Sequence, residues 1–223
     1  MLLAIDTATR YASLALHDGG CVRAEITWEM SDRHTVEVMS RIAGLLEQLD
    51  ATAHDLVGLA VSIGPGSFTG LRVGLAIAKG LALANAIPIA GIPTLDVIAR
   101  AQVVTSGGLV AALQAGRGKL VTMRYRRVRG EWRSHGEATL TTIERIGAEW
   151  DAPTWLCGEL DAAARESIRA RLGARVRLVD PARSLRRAGF LAELGWQRLR
   201  AGDADDVDTL KPIYVPTASV AAA

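Results

Sequence analysis

Two cysteines, Cys21 and Cys157, are the only thiols in 223 residues. They are too few for a disulfide framework and stand at no metal-ligand spacing, which excludes a stapled secreted scaffold and a zinc module. Both are expected as buried thiols in a reducing compartment. The four histidines, His17, His34, His54 and His135, also lack ligand spacing and are expected at the surface. Lys79, glycines and prolines break the longest apolar stretches, leaving none near the roughly 20 residues that span a bilayer. The start, Met1-Leu2-Leu3-Ala4-Ile5-Asp6, has no basic region and meets a carboxylate at once, unlike a secretory signal. A cytoplasmic protein with no membrane association is expected. His-Glu-x-x-His and Gly-Lys-Ser/Thr motifs are missing and no Ser/His/Asp grouping can be assigned, so protease and P-loop readings lack their residues.

What is present is ordinary for a globular protein, with 49% hydrophobic and 22% charged residues. The length suggests one to two domains. Charge is uneven: residues 1–110 hold 7 Lys+Arg against 10 Asp+Glu, and residues 111–223 hold 19 against 14. Much of the excess sits in Arg124-Tyr125-Arg126-Arg127-Val128-Arg129 and Arg183-Ser184-Leu185-Arg186-Arg187. Such runs either neutralise nucleic-acid phosphates or form a solvated face.

The first half alternates between two periods. Leu2–Asp6, Ala12–His17 and Cys21–Trp28 read as three strands, the last two joined at Gly19-Gly20. Over 35–49, Met39, Ile42, Leu45, Leu46 and Leu49 recur at three- and four-residue steps, which predicts an amphipathic helix. Leu56–Ile63 is a further strand, followed by a helix over Phe68–Asn85 and a return strand Ile87–Ile92. Within that helix Gly70, Gly74 and Ala78 fall four apart on one face, which lets another backbone approach closely. In the second half, strands are expected at Leu109–Leu113, Leu120–Arg127, Trp155–Gly158 and Val176–Val179, with helices over 162–172 and 190–200. Two units on a similar plan fit a duplicated α/β fold, divided as 1–102 and 103–223.

Two segments carry the residues of a phosphate site. Asp6-Thr7-Ala8-Thr9 places a strand-terminal carboxylate before two hydroxyls, so Asp6, Thr7 and Thr9 could face a phosphate and its metal-bound water. The alternative is an aspartate capping a strand-to-turn junction. Gly64-Pro65-Gly66-Ser67-Phe68-Thr69-Gly70-Leu71-Arg72 offers Gly64 and Gly66 for close backbone approach and Ser67 as a helix N-cap, where an anion could dock. A tight strand-to-helix turn without a ligand explains the same residues.

Together with Val73–Ala82, these segments resemble the TsaD (glycoprotease-like) family. The match covers residues 1–100 well and the order of elements as far as Tyr214. The Ser-Phe-Thr-Gly-Leu-Arg form of the loop points to the paralogue that accompanies TsaD. The resemblance implies an α/β fold of the actin and sugar-kinase (ASKHA) class, with two ribonuclease-H-like lobes and the C-terminal one reduced. It also implies a part in making threonylcarbamoyladenosine beside the tRNA anticodon, with TsaD carrying the chemistry and the ATPase TsaE joining them. In the family the two N-terminal helices bundle with their TsaD counterparts, or with a second copy when TsaD is absent. This makes Met39, Ile42, Leu45, Leu46, Gly70, Leu71, Gly74, Leu75 and Ala78 the interface candidates, although core packing would produce the same stripe.

The departures shape the expected role. TsaD ligates metal through a His-x-x-x-His pair, and Thr94 and Ile98 stand in those places here; neither binds a transition metal as imidazole does. The family's Asp-Ala-Arg-x-Gly-Glu turn becomes Gln114-Ala115-Gly116-Arg117-Gly118-Lys119, without either carboxylate. The expectation is a non-catalytic subunit with no catalytic or metal residues and no intrinsic cofactor, ATP or ADP entering only within the complex. It would bind TsaD and TsaE and touch tRNA indirectly or weakly. A stand-alone ATPase of this fold and a regulatory binding module are the alternatives.

Overall fold

A computed structural model describes residues 1–30, 34–104, 106–116 and 118–215. The tail Ser219–Ala223, expected to fray, and Arg117 lie outside the described residues. The chain opens with β1 (Leu2–Asp6), β2 (Tyr11–His17), β3 (Val22–Glu29), α1 (His34–Glu47), β4 (Gly58–Gly64), α2 (Phe68–Asn85), β5 (Ile89–Pro93) and α3 (Thr94–Arg100). It continues with β6 (Gly108–Gln114), β7 (Lys119–Val128), β8 (Glu131–Thr142), β9 (Thr154–Glu159), α4 (Ala162–Leu172), β10 (Val176–Leu178), α5 (Pro181–Ser184) and α6 (Ala188–Arg200).

Each half builds one five-stranded sheet, and the two sheets share a plan. In the first the order is β3-β2-β1-β4-β5, antiparallel through β3-β2-β1 and parallel through β1-β4-β5. In the second it is β8-β7-β6-β9-β10, again three antiparallel strands and then parallel ones. The repeat of order and direction is the duplication expected. The strand β8 was not anticipated. Its sequence is polar and only one of its twelve residues is buried, so it carries little alternation to read.

Two compact units result, one from Met1–Val97 with Arg187–Ile213, the other built on Ile98–Arg186. The division at 102/103 therefore misplaces α6, which packs on the first sheet. Alternation along the strands explains why. Leu3, Ile5, Leu14, Leu16, Leu59 and Val61 point to the side covered by α1 and α2. The other side carries Leu2 and four alanines, Ala4, Ala15, Ala60 and Ala90, and takes Leu191 and Ala192 of α6. The contact is so close that a Cβ on Gly195 would stand 2.4 Å from that of Ala60. In the second unit α4 covers Val110, Ala112, Leu156 and Val176 through Ile168 and Leu172. The buried Arg186 there is paired with Glu159.

Turn chemistry fixes the first hairpin. The Asp18 carboxylate accepts the N–H groups of Cys21 and Gly20 at 2.9 Å each and meets Arg23 at 3.0 Å. Those bonds, the backbone ones first, hold its carboxyl below the usual carboxylate range.

The thiols differ from expectation: Cys157 is buried, but Cys21 is exposed at the hairpin turn. Burial pushes the Cys157 thiol well up, which leaves it without thiolate at neutral pH. A disulfide-exchange reagent is expected to label one thiol per native chain and both cysteines after denaturation. Rapid labelling of both native thiols would contradict this burial.

Candidate functional site

The structure brings the two expected segments together. The hairpin after β1 packs directly on the loop and first turns of α2, and glycine makes this fit. A Cβ on Gly66 would lie 2.2 Å from the Ala8 carbonyl oxygen, and one on Gly70 would lie 2.1 Å from that of Thr7. One on Gly74 would lie 2.2 Å from Thr7 Oγ1. The spaced small residues of α2 thus admit the chain's own hairpin.

The polar groups there have partners within the chain. The Asp6 carboxylate is fully buried and accepts from the Ala8 N–H at 3.0 Å and the Ser62 hydroxyl at 2.9 Å. The Thr7 hydroxyl, 1% exposed, donates to the Gly70 carbonyl at 2.7 Å. The Ser67 N–H donates to Ala8 O at 2.6 Å, while the Ser67 hydroxyl caps α2 by accepting from Gly70 N at 3.2 Å. Gly64 has φ +111° and donates its N–H to Thr94 Oγ1 at 3.0 Å. Asp6 and Thr7 are sealed from solvent; Gly66 and Ser67 are exposed and Thr9 is half-buried. Only the outer part of the expected cradle faces solvent.

Thr94 and Ile98, which the resemblance sets in place of a metal-binding histidine pair, are both buried, and Thr94 Oγ1 accepts the Gly64 N–H. Among the described residues no group of three or more His, Cys, Asp or Glu side chains could hold a metal ion. His17, expected at the surface, is buried instead. Its Nδ1 accepts the Gly19 N–H at 2.9 Å, so Nε2 carries the proton facing Glu193 Oε1 at 3.3 Å. In the second unit the altered turn closes with Ala115 N–H to Lys119 O at 2.9 Å, and Gln114 donates to Asp161 at 2.7 Å.

Of the nine interface candidates, eight are buried in this chain: Ile42, Leu45, Leu46, Gly70, Leu71, Gly74, Leu75 and Ala78. Met39, 42% exposed, is the exception. The helices still present an outer face. On α2, Thr69, Arg72, Ala76, Gly80 and Leu83 are exposed at helical spacing, and on α1 Val36, Met39 and Ala43 are exposed. A groove of about 500 Å³, lined by Met39, Ala43, Leu46, Leu56 and Leu81, runs beside them. Of the hydrophobic stripe only Met39 reaches this outer face, and the face's closest-approach positions on α2, Ala76 and Gly80, are too small for such a stripe to mark.

Two units with the same ribonuclease-H-like strand order define a member of the actin and sugar-kinase fold class. The family described as TsaD, tRNA N6-adenosine threonylcarbamoyltransferase, matches residues 22–176. The tRNA threonylcarbamoyladenosine biosynthesis protein TsaB of Escherichia coli (strain K12) is 38% identical over 162 residues, 67% of this chain and 68% of that protein. Its Bacillus subtilis (strain 168) namesake is 29% identical over 228 residues, 99% of this chain and 96% of that protein. YeaZ from Pseudomonas aeruginosa shares the fold with a TM-score of 0.77 at 23% identity, over 96% of this chain and 99% of that one. The chain belongs to the TsaB branch of the TsaD family.

Proposed function

We propose that this chain is a non-catalytic subunit of the cytoplasmic machinery that makes threonylcarbamoyladenosine in tRNA, and that it binds and activates TsaD. The observation that carries the reading is the pairing of family membership with the residues at the ligand positions. Where TsaD holds its metal this chain has Thr94 and Ile98, both folded into its interior. A protein that keeps the family's fold without those ligands fits a role as partner. The Asp6–Thr7 hairpin, sealed by α2, acts in this reading as a structural joint. Any ATP or ADP enters with TsaD and TsaE.

Docking falls to the outer face of α1 and α2. Ala76 and Gly80 let a partner helix come close, while Met39 and Leu83, 42% and 63% exposed, supply apolar contact. A stable interface needs about 1,600 Å² in total. With TsaD absent, the same patch serves an isologous pair of copies. The experiment is capture of the matching TsaD by this chain, read by co-elution. Co-elution of the wild-type pair is expected, and separate elution at micromolar concentrations would remove the proposal.

A further inference from the structure

Residues 162–187 contain eight arginines against a single glutamate, Glu166, and a single aspartate, Asp180. Arg186 is paired with Glu159, and Arg187 with Glu25. Of the other six, Arg177 lies on β10 and Arg183 on α5, and four crowd α4 and the turn Gly173–Arg175 after it. Arg165 and Arg169 stand four apart on the helix, and Arg171 and Arg175 repeat that interval across its end. Like charges at this spacing destabilise a helix in isolation.

Two of the four are braced: Arg165 donates to Val179 O at 2.8 Å, and Arg171 donates to Ile143 O at 3.0 Å. Burial first, and then the charge of Arg169 or Arg175, lowers the pKa of each braced guanidinium. Arg169 and Arg175 are exposed and have no acidic partner among the described residues. The arrangement spends stability to hold cations together, so an anion seated on it relieves repulsion.

The chemistry of the anion follows from what the face lacks. Between residues 129 and 212 no described large hydrophobic side chain is exposed. Beside the arginines, α4 shows solvent only Ala162, Ala163, Glu166, Ser167 and Ala170. A protein interface surrounds its arginine hot spots with aromatic or aliphatic anchors that bury a dry core, and no such apolar anchor is offered beside these arginines. A phosphate backbone needs only guanidinium forks at intervals.

We infer that Arg169 and Arg175, held out by α4 and the turn after it, form a ridge that binds the phosphate backbone of the tRNA. This rests on the threonylcarbamoyladenosine role for its choice of RNA. The ridge positions the nucleic acid and reads no bases.

The test is binding of unmodified tRNA by the chain–TsaD complex across a salt series. Replacing both arginines with glutamine (R169Q/R175Q) removes two phosphate contacts. The slope of log affinity against log salt is then expected to shrink by about 1.5, with affinity down about tenfold or more near ~0.1 M salt. R169K/R175K, which keeps the charge, should retain most of the affinity and the slope. The control R126Q/R129Q, on the β7–β8 hairpin, should change affinity less than twofold. An unchanged slope in R169Q/R175Q would overturn the inference. So would an equal loss in the control, or a loss confined to an acidic polyglutamate probe with tRNA binding intact. Capture of TsaD by the same variants is scored separately. If the chain never captures TsaD, the functional reading fails, while tRNA binding by the chain alone still decides the ridge.

Discussion

Gly70→Ala is expected to destabilise the first unit by about 3 kcal/mol or more, the upper range for forcing a group into a packed interior. The added Cβ would sit 2.1 Å from the carbonyl oxygen of Thr7. That oxygen is backbone at the end of β1 and cannot swing aside as a side chain would. Relief requires moving the hairpin off α2, which strains the Thr7–Gly70 and Ser67–Ala8 hydrogen bonds. For a chain of this size the loss corresponds to a fall of roughly 6–12 °C in Tm. The same substitution ten residues further along α2 should have the opposite sign. Nothing lies within 4 Å of a Cβ built on Gly80, so Gly80→Ala should stabilise by up to about 1 kcal/mol through helix propensity. Thermal unfolding of the two variants decides the matter. Equal shifts would mean that α2 does not pack on the hairpin as described.

The second large effect concerns TsaD. Ala76→Arg and Gly80→Arg place a long charged side chain on the outer face of α2, where both positions are exposed. The fold is expected to survive, with Tm close to that of the wild type. Capture of TsaD should fall at least a hundredfold, because close approach of a partner helix is blocked and a charge is left buried without a partner. Leu45→Arg or Gly74→Arg would be a poorer probe. Leu45 is 6% exposed in the chain's own core, and a Cβ on Gly74 meets Thr7 Oγ1 at 2.2 Å, so either change damages the subunit before it reaches an interface. Wild-type capture by the stably folded Ala76→Arg and Gly80→Arg proteins would place the docking surface elsewhere.

The first unit was largely legible because its signals are local. Buried strands read as short apolar runs, and the α2 helix opens at a serine N-cap, Ser67, and ends shortly before Pro88. The spacing of Gly70 and Gly74 announced a close approach correctly, but spacing cannot say what approaches. Here it is the chain's own hairpin. Side chains of α1 likewise fell on the predicted stripe, yet apart from Met39 that stripe marks the core, and the close-approach positions of the outer face are Ala76 and Gly80, which no hydrophobic pattern detects. The allegiance of α6 was hidden for a related reason. Its target is a surface of alanines on the first sheet, more than a hundred residues away in sequence for Leu2, Ala4 and Ala15, and short-range periodicity carries no information about distant pairing. The polar strand β8 and the buried His17 escaped in the same way, since both depend on neighbours brought in by the fold.

The most direct test of the central claim is threonylcarbamoyl transfer to tRNA by the matching TsaD and TsaE supplied with the activated threonylcarbamoyl adenylate, with and without this chain. The account predicts modification only when this chain is present, and none from this chain without TsaD. Equal modification without it would contradict the role as activating subunit, and transfer by this chain alone would contradict its being non-catalytic.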